Sequence, residues 1–201
     1  MGYGGLALGA ALEIAAQKAR AAPPPPENLY LGPEYTPGEI LGHLNRRRGL
    51  SFRRPGDLVG EASRRLLAGE IVFWFQGRME YGPRALGNRS ILARPDDEGI
   101  RDRLNLLLKM RVWYQPFCPS LLWEDAPDLL EIGGRGDLAS NRFMTTAFRV
   151  RPEHGRLMKG VTGRDGTCRP HLVRDENPGL EQLAVSKPPL AMRAADRAGA
   201  L

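Results

Sequence analysis

The sequence predicts an α/β fold, a twisted mixed sheet flanked by helices, on three observations. Leu58, Val59, Ala62, Leu66 and Leu67 recur at helical spacing, with Asp57 placed to cap that helix and Gly69 to close it. The run Glu70-Ile71-Val72-Phe73-Trp74-Phe75 follows as a strand apolar on both faces, hence central in a covered sheet. It ends in Gln76-Gly77-Arg78, and ligands in such folds gather where strands end.

The elements follow in order. Gly4 to about Arg20 reads as a glycine-opened helix whose free N–H groups either hold a phosphate or belong to a tightly packed small-residue helix. Pro23–Pro26 ends it, and residues 23–27 form an extended, Pro-rich linker. Asn28 to Pro33 is a short extended piece. Thr36, Pro37 and Glu39 have the spacing of a capping box with proline at the first helical position, opening a helix to about Arg48. Its basic end, Arg46-Arg47-Arg48, suits the negative pole of the helix, as a solvated face or as a ligand contact.

Beyond the apolar strand, the loop from Gly77 to Asn88 carries Arg78 and Arg84, with Glu80 between them, and Arg89 follows it. Ser90 to Ala93 is a second strand. Pro95-Asp96-Asp97 starts a helix through about Met110, with Asn105, Lys109 and Arg111 at its last turn and exit, as dipole partners or ligand contacts. Trp113 to Leu122 brings aromatics and two prolines before another apolar strand. Glu124 to Asn141 is loop-rich, including Gly133-Gly134-Arg135-Gly136. Met144–Val150 reads as a strand, Pro152–Lys159 as a short helix, Thr162–Thr167 as a turn and Arg169–Val173 as a strand. Residues 28–182 form the α/β domain, and 183–201 an irregular tail without periodicity.

Composition narrows the chemistry. The chain of 201 residues is 42% hydrophobic, enough for a packed core, and holds no apolar run of membrane-spanning length. Its start lacks the basic region of a signal peptide and carries Glu13, so a cytoplasmic location is expected. Two distant cysteines, Cys118 and Cys168, point to a reducing compartment rather than to a disulfide framework or a zinc site. The net charge of +6 comes from 29 basic against 23 acidic residues. The central arginines are interleaved with Gly and Pro rather than lined along a helix face, which favours a phosphate-bearing small ligand over nucleic acid.

Nucleophile–base motifs, Walker A and zinc-protease spacings are absent, and His43, His154 and His171 have no metal-ligand spacing. Catalysis would then come from positioning and neutralising phosphates. Arg78, Arg84, Arg89, Lys109 and Arg111 are suited to that, with Asn88, Ser90 and Ser120 orienting oxygens.

The run GRMEYGPRALGNRSIL, then RDRLN, then KMRVWYQPFCPS resembles the C-terminal domain of the carbamoyltransferases of nodulation-factor and antibiotic biosynthesis. Arg142-Phe143-Met144 through Val150, Val161-Thr162 through Arg169-Pro170, and Arg174 to Pro178 resemble later blocks of that domain, and GGLALGAAL resembles the end of a preceding domain. The resemblance implies a YrdC-like fold, incomplete at the C-terminus. It also implies that residues 1–22 are a remnant of the actin/sugar-kinase-like transfer domain. The implied reaction forms carbamoyl-adenylate from carbamoyl phosphate and ATP, with Mg accompanying ATP, for O-carbamoylation of a hydroxyl on a small molecule or glycan. Lys109, Arg111 and Ser120 are the implied catalytic phosphate or adenylate contacts. Arg78, Arg84, Asn88, Arg89, Ser90, Asn105 and Arg169 are the implied binding set, with no metal ligand in this chain. The family's transfer-domain metal site is absent, so a separate chain supplying that domain is the expected partner, besides small-molecule phosphates.

Departures from the family pattern are also legible. Where the family reads REWYRPFAPS, this chain has Val112, Gln115 and Cys118, and His171 stands where Gln is common. The family's NTSFN block is missing, and the tail after Gln182 reads as frameshifted or truncated. A non-catalytic nucleotide- or RNA-phosphate-binding module, or an inactive relic, is the alternative reading.

Overall fold

Residues 4–21, 24, 26–132 and 138–173 are described by a computed structural model. They fall into two units, Met1–Leu50 with Phe75–Arg89 and Ser51–Trp74 with Ser90–Leu201.

In the first unit, α1 (Gly4–Ala19) is the glycine-opened helix expected there. The predicted capping box opens α2 (Pro37–Asn45): Thr36 Oγ1 accepts the Glu39 N–H, and Glu39 Oε2 accepts the Thr36 N–H at 2.8 Å. α2 stops at Asn45 rather than Arg48, and the chain then turns through Gly49 at φ +76°. The extended segment at Leu29–Pro33 is bonded to Met79–Tyr81, with Gly32 N–H to Met79 O at 2.9 Å and Tyr81 N–H to Leu29 O at 2.7 Å. A Cβ at residue 32 would meet the Met79 carbonyl at 2.9 Å, so only glycine lets the two backbones approach this closely.

In the second unit, Asp57 Oδ1 accepts the Gly60 N–H at 2.8 Å and starts α3 (Leu58–Leu67), which buries Ala62, Ser63 and Leu66. Among the described residues β1 (Val72–Phe75) pairs with β2 (Arg89–Leu92) alone. The expectation of a strand covered on both faces is corrected. Trp74 is buried against Ala62 and Val173, while Phe73 on the opposite face remains 68% exposed. Asp97 caps α4 (Glu98–Arg103), and the helix expected to reach Met110 instead widens into a π turn at Leu104–Leu108.

The remaining strands are short and mixed in direction. β3 (Ser120–Leu122) runs parallel to β7 (His171–Val173), with Ser120 opposite His171 and Leu122 opposite Val173. β4 (Leu130–Glu131), β5 (Phe148–Val150) and β6 (Thr167–Cys168) form an antiparallel sheet. The fold is thus α/β with mixed strands, built as small sheets. Two local causes shorten the strands. Asn141 Oδ1 accepts the N–H groups of Thr145 and Thr146, removing them from the ladder expected over Met144–Val150. Pro170, which has no N–H to donate, separates β6 from β7. The helix expected over Pro152–Lys159 is a single 3-10 turn at Pro152–His154.

α5 (Ala126–Leu129) and these strands enclose the larger core, in which Leu121, Leu129, Leu130, Met158 and Leu172 are buried. The Gly133–Gly136 loop, Arg174 to Pro178, the tail, and Pro23 and Pro25 of the linker lie outside the described residues.

Candidate functional site

Within the first unit, one carboxylate organises the loop after β1. Glu80 is the only acid between Gly77 and Arg89, and its side chain is 0% exposed. Its Oε1 accepts backbone N–H groups from Leu86, Asn88 and Arg89, and its Oε2 accepts Arg89 Nε at 2.8 Å. Burial alone would raise its pKa, but the Arg89 bond and the backbone donors outweigh that and hold it below the ordinary value. Asn88 donates to the Arg78 carbonyl at 2.7 Å and accepts from Gln76 at 3.0 Å. Arg89 and Asn88 are therefore engaged in building the loop. Arg78 projects outward with Glu34 at 3.9 Å, and Arg84 is exposed without a hydrogen bond or ion pair among the described residues.

Within the second unit, a second buried side chain fixes a second arginine. Asn105, 0% exposed, donates through Nδ2 to the carbonyls of Trp113 and Gln115 and accepts Arg111 Nε at 2.7 Å. Every hydrogen-bonding group of its amide is used, so the segment from Arg111 to Gln115 is pinned at three places. The Arg111 guanidinium lies 4.5 Å over the Phe117 ring. Desolvation lowers its pKa, partly opposed by the neighbouring Cys118, though an arginine stays charged. Among the described residues no carboxylate pairs with it.

Arg169 reaches the same place from the loop before β7. Its Nη2 donates to Cys118 Sγ at 3.1 Å, while its Nε is buried without a partner. No carboxylate pairs with Arg169 among the described residues either. Ser120 Oγ lies 3.4 Å from His171 Nδ1 across the β3–β7 pair, and the His171 N–H donates to the Pro119 carbonyl at 2.8 Å. Lys109 ends the wide turn, exposed, and its backbone N–H donates to Leu104 O. Ser90 is half-buried on β2. Cys168 is a different case: burial, with a smaller push from Cys118, drives its thiol up to about 12, so it stays neutral.

The structure brings Asn105, Arg111, Ser120 and Arg169 around the N-terminal end of β3, with Phe117 as a neighbour, and with Cys118 and His171, which the sequence marked only as departures from the family pattern. Two guanidiniums without acidic partners among the described residues have the chemistry to attract an anion, and the Arg169 Nε is a buried donor without an acceptor there. Arg78, Arg84, Asn88 and Arg89 belong to the other unit. The role of Glu80 was visible only as an isolated acid among arginines in a glycine-rich loop. No sequence spacing announced that Cys118 would meet Arg169. Among the described residues, no cluster of three or more His, Cys, Asp or Glu is placed to hold a metal ion, and no helix is long and apolar enough to cross a membrane.

Comparison with known proteins gives this site its context. The family model described as "Carbamoyltransferase C-terminus" matches residues 63–186, which include Asn105, Arg111, Cys118, Ser120, Arg169 and His171. The nodulation protein NolO of Bradyrhizobium diazoefficiens is 40% identical over 179 residues, covering 87% of this chain and 32% of that protein. NolNO of Sinorhizobium fredii is 36% identical, covering 84% of this chain and 25% of that protein. The 3'-hydroxymethylcephem-O-carbamoyltransferase of Amycolatopsis lactamdurans is 40% identical over 124 residues, 61% of this chain and 22% of that protein. The chain thus spans a third or less of the length of these relatives. By family match and identity alike, it belongs to the carbamoyltransferase family, corresponding to its C-terminal region.

Proposed function

We propose that this chain forms carbamoyl-adenylate from carbamoyl phosphate and ATP, as the activating half of an O-carbamoyltransferase. The observation that carries the reading is the pair Arg111 and Arg169, neither compensated by a carboxylate among the described residues, at the head of β3 with Ser120. Both reactants are anions, and fixed cations in a partly desolvated setting offset their repulsion without reorganising. Arg111 and Arg169 neutralise phosphoryl oxygens, Lys109 adds a mobile ammonium, and Ser120 donates to an oxygen while His171 orients its hydroxyl. Arg84 is unpaired among the described residues and Arg78 faces Glu34 at 3.9 Å, and Arg89 and Asn88 hold their loop in shape. Mg accompanies ATP and screens its phosphates.

In balance, the carbamoyl–phosphate bond breaks with water and releases phosphate. A carbamate oxygen then bonds the α-phosphorus of ATP as the α–β bond breaks, expelling pyrophosphate. Transfer to a hydroxyl belongs to a larger domain, carried by other sequence or a separate chain. The relative named as a 3'-hydroxymethylcephem-O-carbamoyltransferase supports a small-molecule hydroxyl as acceptor, and a glycan hydroxyl is the other acceptor that the resemblance implies. A cytoplasmic site of action fits a reaction that consumes ATP.

Pyrophosphate release tests this reading. Wild-type chain given both substrates and Mg should release it. Arg111→Ala should lower the rate about a hundredfold, the scale of losing one fixed charge-stabilising donor. Lys109→Ala should lower it less, since its side chain is exposed. ATP binding with no release, in a chain that melts cooperatively, would favour a nucleotide-binding module instead.

A further inference from the structure

We infer that Cys118 is a positioning residue that sets the affinity of this anion site by holding the Arg169 guanidinium. The inference rests on the reading of Arg111 and Arg169 as phosphate contacts. Four rotatable bonds separate an arginine fork from its backbone, and holding it still needs an acceptor. For Arg169 among the described residues that acceptor is the Cys118 sulfur, 3.1 Å from Nη2. Among the described residues nothing else fixes the fork: Nε is buried and unpartnered, and no carboxylate pairs with it. Cys118 is itself fixed, because it lies between Phe117, under the Arg111 guanidinium, and Pro119, whose carbonyl accepts the His171 N–H at 2.8 Å. It is also near enough to Arg111 to act on that group's charge. One sulfur thus lies beside both cations without neutralising either, as a carboxylate in its place would. The half-buried Cys118 is suited to this, unlike Cys168, whose thiol is sealed in the core.

The test is equilibrium binding of inorganic pyrophosphate to the full chain by titration calorimetry, followed by the KM and kcat of pyrophosphate release. Cys118→Ala, which removes the acceptor, should weaken pyrophosphate binding on the order of fivefold and raise KM with kcat little changed. Cys118→Ser keeps an acceptor and should stay within about twofold of wild type. In an Arg169→Ala background, Cys118→Ala should have no further effect, because the sulfur acts only through that side chain. Cys118→Val, which fills the space without an acceptor, replaces the alanine variant if thermal melting shows that variant to be unfolded. Unchanged binding in Cys118→Ala, equal losses in the Ser and Ala variants, or additive losses in the Arg169→Ala background would each overturn the inference. A wild-type chain that binds no pyrophosphate removes the anion site itself, and this inference with it. Binding without turnover removes only the proposed reaction.

Discussion

Glu80 shows how one side chain decides what its neighbours are free to do. A fully buried carboxylate is costly unless every oxygen is served, and here three backbone N–H groups and one guanidinium serve it. Glu80→Ala would strand Arg89 and those donors, and should cost about 3 kcal/mol or more in denaturant melts. The pH dependence has a definite sign. Its folded pKa lies below the ordinary 4.5, so its contribution is fully present above 4.5 and is lost as pH falls through the folded value. Melting temperature should therefore drop on acidification below that point, and Glu80→Gln should flatten the drop. At the other thiol, a pKa pushed up to about 12 predicts that iodoacetamide at mild alkaline pH leaves Cys168 unmodified in the folded chain. Peptide mass mapping before and after denaturation reads this directly.

At the scale of elements, what is local in sequence is what the sequence announces. Thr36, Asp57 and the acids before α4 act within a few residues of themselves, and each helix starts where its cap stands. Thr36→Ala should cost about 1 kcal/mol, measured as a shift in the denaturant midpoint. Elements decided by distant partners were not legible. β1 was expected to be covered because its residues are all apolar, but coverage depends on neighbouring strands, and among the described residues it has one. Thr145 and Thr146 have strand-forming composition, yet Asn141, only four and five residues upstream, takes their N–H groups because it is buried, which its residue type did not announce. The wide turn at Leu104–Leu108 follows the same rule, since Asn105 is satisfied by carbonyls eight and ten residues away. Asn105→Ala should release Arg111, and its loss of pyrophosphate binding should approach that of Arg111→Ala. Equal binding in the two folded proteins, wild type and Asn105→Ala, would show that the pinning is dispensable.

At the scale of the whole molecule, the arginines that form the candidate site were legible as residue types in glycine- and proline-rich surroundings. Their state was not. Whether an arginine faces a ligand or a carboxylate depends on contacts such as Arg89 with Glu80 and Arg111 with Asn105, which sequence spacing does not encode. The family match covers residues 63–186 and supports the reaction class proposed for them. In the proposed reaction, two guanidiniums at the head of β3, uncompensated among the described residues, gather two phosphate compounds for one exchange. Phosphorus NMR of the full chain with ATP, carbamoyl phosphate and Mg tests it most directly. Pyrophosphate should appear only when both substrates are present, matched by phosphate above the ATP-free control, and both should be suppressed in Arg111→Ala. ATP converted to ADP instead, or product formation untouched by Arg111→Ala, would contradict it.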